Sequence, residues 1–93
     1  MKIVYPVILT PDDEMFIVNI PDFDIVTQGT DIANAIDMAK DAICITAIDM
    51  QDDNIPLPKA TNIVGTDSED KCIITLVEVD IGAYRKMLDT DLM

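Results

Sequence analysis

A chain of 93 residues has room for one hydrophobic core and not for two, since a domain of this size buries only roughly 60–65% of its unfolded surface. Hydrophobic residues make up 49% of it, which excludes a disordered acidic tail even though 18 Asp and Glu stand against 6 Lys and Arg. The resulting net charge of −12 argues against direct nucleic-acid binding, which depends on Lys and Arg displacing condensed counterions, and favours a basic protein partner drawn by long-range attraction. Acidity that merely keeps a small protein soluble is the plainer alternative.

The first apolar run, KIVYPVILT at residues 2–10, is apolar on both alternation classes and reads as a strand covered on both faces. Pro6 cannot donate to a ladder, so it is expected at an edge, a bulge or an unpaired position. It also leaves the run too short for a signal peptide or a membrane span, and the protein is expected in the cytoplasm. Residues 11–14 form a turn. Residues 14–20 then alternate, with Phe16, Val18 and Ile20 on one face, which predicts an antiparallel hairpin. Pro21-Asp22 ends that strand, and residues 24–28 are long enough only for a short third one, with Gly29 as the break.

Thr30 is the predicted N-cap of a helix over residues 31–52, and Asp31 puts a carboxylate at the positive end of its dipole. Ile32, Ile36, Ala39, Ile43, Ala47 and Met50 recur at spacings of three and four, so they form the stripe that covers the sheet. Asp37, Asp41, Cys44, Ile45 and Ile48 fall opposite, with Met38 at the border. That outer side is either partly covered or a contact surface. NIPLPKATN, residues 54–62, is an extended connection because each proline forbids helix continuation. Residues 66–70 are a polar turn, and residues 71–79 form the last strand. DIGAYRKMLDTDLM begins a short final helix.

The expected architecture is therefore α+β, in the order β-β-β-α-β with a short C-terminal helix. The last strand is expected beside the first in parallel, giving a four-stranded mixed sheet with one long helix on one face. This order is shared with the front half of the ribonuclease H fold, so two-metal nuclease chemistry is a third reading to weigh. It would need several carboxylates converging on ions about 4 Å apart. The first strand carries none within its span, and Asp80 and Asp37 do not converge, so solvated surface acids are the better reading.

Other chemistry finds no residues. The chain has no His and only three Gly, leaving neither a histidine base nor a Gly-rich phosphate loop, and Ser68 stands alone. DMQDDN, residues 49–54, lacks the Gly and final Glu of a calcium loop. Cys44 and Cys72 read as small buried thiols rather than a disulfide or a zinc site. No enzymatic activity, no metal and no cofactor are expected.

Six local signals in order resemble the HicB antitoxin family of type II toxin–antitoxin systems. They are Tyr5-Pro6, Phe16, Pro21-Asp22, Thr27-Gln28-Gly29-Thr30 before a helix with Ala35 and Ala39, Ile55-Pro56-Leu57-Pro58, and the ending VDIGAYRK at residues 79–86. The resemblance spans residues 3 to about 86. It implies a partial ribonuclease H-like domain without nuclease activity, which neutralises a basic HicA-type toxin, a small ribonuclease that cleaves messenger RNA. The family usually has Gly in the first hairpin where this chain has Asp12-Asp13-Glu14-Met15, and acidic helix-opening residues where it has Ile32-Ala33-Asn34. Many members continue into a DNA-binding domain. Residues 1–93 are expected to be the toxin-neutralising domain alone, the C-terminal DNA-binding domain being absent and the ending at Leu92-Met93 reading as a cut.

The expected toxin contacts are the acidic turn residues Asp12, Asp13, Glu14, Asp22 and Asp24. A homodimer is expected as well, through an open sheet edge or through Met38, Ile45 and Ile48. The alternative function is a solitary HicB-like interaction or self-assembly domain with another partner.

Overall fold

The computed structural model describes residues 2–61 and 72–91. Four strands, β1 (Lys2–Asp12), β2 (Met15–Ile20), β3 (Ile25–Gly29) and β4 (Ile73–Asp80), and two helices, α1 (Ile32–Asp52) and α2 (Ile81–Asp91), follow one another in the predicted order, with one 3-10 turn at Pro21–Phe23. The sheet order is β3-β2-β1-β4. The predicted turn at residues 66–70 and the first residue of the predicted last strand lie outside the described residues.

The α+β class, the element order and the neighbours of each strand are as expected. One feature differs. Strand β4 lies beside β1 as predicted, yet it runs antiparallel, from Lys2↔Asp80 to Leu9↔Ile73, and the sheet is antiparallel throughout rather than mixed. A parallel strand would have to start beside Lys2. Helix α1 ends at Asp52 and β4 begins at Ile73 beside Leu9, and a separation of twenty residues between them is long enough for either direction, at roughly 3.3 Å per extended residue. The prolines at 56 and 58 lie in a stretch, residues 55–61, that has no helix or strand.

Alternation sorts the strands into two faces. Tyr5, Val7 and Leu9 of β1, Val18 and Ile20 of β2, and Val77 and Val79 of β4 are buried under α1, together with Ala35, Ala39, Ile43 and Cys44 of the helix. Pro6 is resolved by geometry. The ladder from β1 to β2 begins only at Ile8↔Asn19, so on that side the proline has no register partner that needs its missing N–H.

Helix α1 is capped by Asp31 rather than Thr30. The Asp31 carboxylate accepts from Asn34 N–H at 2.7 Å, and Asn34 Oδ1 in turn accepts from Thr30 N–H at 2.9 Å. This is a reciprocal arrangement close to a capping box, with Asn34 in the place of the usual Glu. At the other end Asn54 takes φ of 58°, its N–H reaches Gln51 O and Ile55 N–H reaches Met50 O. That pair of bonds satisfies the last free carbonyls and stops the helix where the sequence predicts.

The buried stripe of α1 is Ala35, Ala39, Ile43, Cys44 and Ala47, shifted from the predicted one. Ile32 is 45% exposed because the helix first meets the sheet one turn later. There a Cβ on Gly29 would lie 2.5 Å from Ala35 Cα. Gly29 thus ends β3 as a close-approach point. Met50 and Ile36 are only half-buried.

Cys44 is buried although the helical phase puts it on the outer side, because α2 folds back over that flank. Cys44, Val79, Ala83 and Tyr84 line one cavity of about 310 Å³ between the two helices and β4. Burial raises the Cys44 thiol pKa, and the Asp41 and Asp80 carboxylates add to the effect. Cys72 is half-buried rather than buried, with Sγ 3.2 Å from Thr10 Oγ1, and both cysteines are free thiols.

Three side chains hold α2 in place. Asp80 accepts from Ala83 N–H at its start, Tyr84 O–H donates to Asp41, and Arg85 donates to Asp52 at 2.9 Å and to the Ile48 carbonyl at 3.5 Å. The Tyr84 phenol is pushed up to about 12, first by its hydrogen bond to Asp41 and then by burial. A raised folded value means that the unfolded chain loses this proton first. The stabilisation is therefore complete below the ordinary value of 10.0 and disappears as pH rises from there to about 12. A spectrophotometric phenol titration of the folded protein is expected to show a late tyrosine that Tyr84→Phe removes. An unchanged titration curve in that variant would contradict the assignment.

Candidate partner-binding surface

The five acidic residues singled out in the sequence occupy two ends of the sheet. Asp12, Asp13 and Glu14 form the exposed connection between β1 and β2, where Asp13 has φ of 56°. Asp is tolerated in that left-handed region. Asp22 and Asp24 lie at the far end of β2, roughly 20 Å away for a six-residue strand. Asp24 is exposed, with φ of 54°.

Asp22 already has a structural task. Its carboxylate accepts from Thr61 N–H at 3.1 Å and from the Thr61 hydroxyl. Nearby, Tyr5 O–H donates to Pro58 O at 2.6 Å, and the Tyr5 ring meets Phe23 edge-on with centroids 4.7 Å apart. Burial and then the Asp22 charge raise the Tyr5 phenol pKa. Together these groups tie the extended stretch 55–61 to the first strand. Asp22, Tyr5 and the two prolines, all read as separate sequence signals, thus form one clasp.

Sequence reasoning missed the second face of the sheet. Val4, Pro6 and Ile8 of β1, Met15 and Ile17 of β2, Val26 of β3, and Ile74 and Leu76 of β4 all point away from α1, by alternation and by their register. Val26, Asn19, Ile8 and Ile74 form one cross-strand row. Val26 is 65% exposed, Leu76 70% and Val4 41%. The signal was present in the apolar residues on both alternation classes of β1 and β4, which imply cover on two faces; only one helix is long enough to cover one.

The predicted oligomer contacts share one flank of α1 but differ in exposure. Met38 and Ile45 are exposed, whereas Ile48 is half-buried and its carbonyl bonds Arg85 of α2. Among the described residues, no group of three or more His, Cys, Asp or Glu side chains could hold a metal ion, and no helix is long and apolar enough to cross a membrane.

No family model matches the chain, and no curated protein matches it. Solved structures do. The chain is similar, at 29% identity and a TM-score of 0.79 over 90% of its length and 73% of the other chain, to a protein in a "Toxin-Antitoxin complex from Streptococcus pneumoniae". The fold is the one found in toxin–antitoxin complexes. A second similar chain, in a structure described as "HicA3 and HicB3 toxin-antitoxin complex", shares 22% identity with a TM-score of 0.68 over 84% of this chain and 99% of that one. The second likeness is one of fold. Among the described residues, the sheet face turned away from α1 and the turn carrying Asp12, Asp13 and Glu14 leave side chains exposed.

Proposed function

We propose that this chain is an antitoxin domain that binds and neutralises a basic, HicA-type messenger-RNA-cleaving ribonuclease, and that it does so as a cytoplasmic, non-catalytic binding module. The observation that carries the reading is the likeness to a toxin–antitoxin chain over 90% of this sequence. The net charge of −12 supports it independently, since an acidic protein attracts a basic one and competes with RNA for it. The five acidic residues act by steering encounter more than by holding the complex, because single rim charges contribute little to affinity. Self-association as a homodimer belongs to the same reading: the outer edges of β3 and β4 pair with nothing among the described residues, and open edges invite pairing.

Two measurements test the reading. Residues 1–93 are expected to restore growth arrested by a HicA-type toxin. Neutralising Asp12, Asp13, Glu14, Asp22 and Asp24 together is expected to slow association by roughly tenfold at low salt and to flatten its salt dependence, while dissociation changes less. Failure to bind the toxin or to restore growth overturns the antitoxin reading, and binding without salt dependence overturns only the steering. Since Asp22 also holds Thr61, a four-residue variant that retains it separates charge from the clasp.

A further inference from the structure

We infer that the toxin docks on the open face of the sheet, with an apolar centre formed by Val26, Ile8, Ile74, Leu76 and Val4 between acidic ends. The inference rests on the antitoxin reading and adds where the partner sits and what its surface is like. Helix α1 covers one face, and the other carries apolar residues on all four strands, interspersed with Thr10, Asn19 and Gln28 and with Pro6 fully buried among them. Three of them are exposed large hydrophobics, Val4 at 41%, Val26 at 65% and Leu76 at 70%. Ile8, Ile74, Leu76 and Val4 lie together on β1 and β4, with Val26 beyond Asn19, and an apolar patch bordered by polar groups marks an interaction surface rather than ordinary surface scatter.

Charge identifies the occupant. Asp12 ends β1 at one end of this face by the same alternation that places Ile8 and Thr10 there, with Asp13 and Glu14 beside it; Glu78 of β4 and Asp24 before β3 stand toward the other end. Lys2 reaches Glu78 only at 3.8 Å, and both side chains are largely exposed. Laying two copies of this face together would oppose these carboxylates, whereas a partner with an apolar centre and Lys or Arg around it satisfies both parts. The helix surface is a poorer match. Met38 and Ile45 stand alone among Asp37, Lys40, Asp41 and Asp49, and Asp41 is bonded to Tyr84.

The experiment measures affinity for a HicA-type toxin, purified as an inactive variant. Wild-type protein is compared with the double variants Val26→Lys/Leu76→Lys and Met38→Lys/Ile45→Lys. The sheet-face variant is expected to lose about a hundredfold or more in affinity, and the helix-face variant less than about threefold. Val26→Ser/Leu76→Ser, a milder change at the same exposed positions, is expected to lose about tenfold, and thermal melts of every variant show that the fold is intact. Full affinity in both sheet-face variants overturns the docking face and leaves the antitoxin reading standing, as does a loss confined to the helix-face variant. A sheet-face variant that keeps its toxin affinity but falls from dimer to monomer in light scattering assigns the face to a second copy and overturns the proposal. Wild-type protein that does not bind the toxin overturns the antitoxin reading and the docking face with it.

Discussion

Ile43→Ala is expected to lower the unfolding free energy by about 2–4 kcal/mol, through lost burial and the cavity left where four carbons of a side chain become one. Ile43 is fully buried at the middle of α1, between Ala39 and Ala47. These small neighbours let the helix lie close to the sheet, so Ile43 is the large side chain that fills the centre of the contact. A chain of 93 residues has a total stability of roughly 5–14 kcal/mol, so this one change removes a substantial share of it. Ile48→Ala, at a half-buried position on the flank of the same helix, is expected to cost less than half as much. Urea melts of both variants decide the matter, and equal losses would contradict the helical phase described here.

Gly29→Ala is expected to be of comparable severity, about 2–3 kcal/mol, by overpacking rather than by a cavity. The added methyl would lie 2.5 Å from Ala35 Cα, 2.6 Å from Ala35 N and 2.8 Å from Ala35 Cβ. Two of these are backbone atoms of the first turns of α1, so no side-chain rotation relieves the clash. The helix must move off the sheet or β3 must shift with it. A thermal melt of Gly29→Ala that overlays the wild type would show that the helix start is free to retreat. The further change Ala35→Gly in the same chain is expected to recover part of the loss, because it removes the Cβ contact but leaves the backbone ones.

The candidate surface was only partly legible before the fold was seen. The sequence showed which residues are charged and that turns carry them, since turn chemistry is local. It did not show that Asp12, Asp13 and Glu14 lie a strand's length from Asp22 and Asp24, nor that Asp22 is bonded to Thr61, 39 residues away. The open face followed from the same alternation that assigned the strands, but which alternation class meets α1 depends on the side of the sheet to which the helix returns.

The sequence by itself determined the elements and their order. Alternation, proline and Asn or Asp in left-handed positions, and the three-and-four spacing of apolar residues act over a few neighbouring residues, and their physics is complete within each segment. The direction of β4 was decided only by tertiary structure. Pairing direction depends on the end of the sheet from which the chain returns, and the apolar pattern of Ile73–Asp80 is the same in either direction. The burial of Cys44 was decided the same way. Its helical phase points outward, and only α2, held by Asp80 at its start and by Tyr84 and Arg85 along its length, turns that flank into an interior.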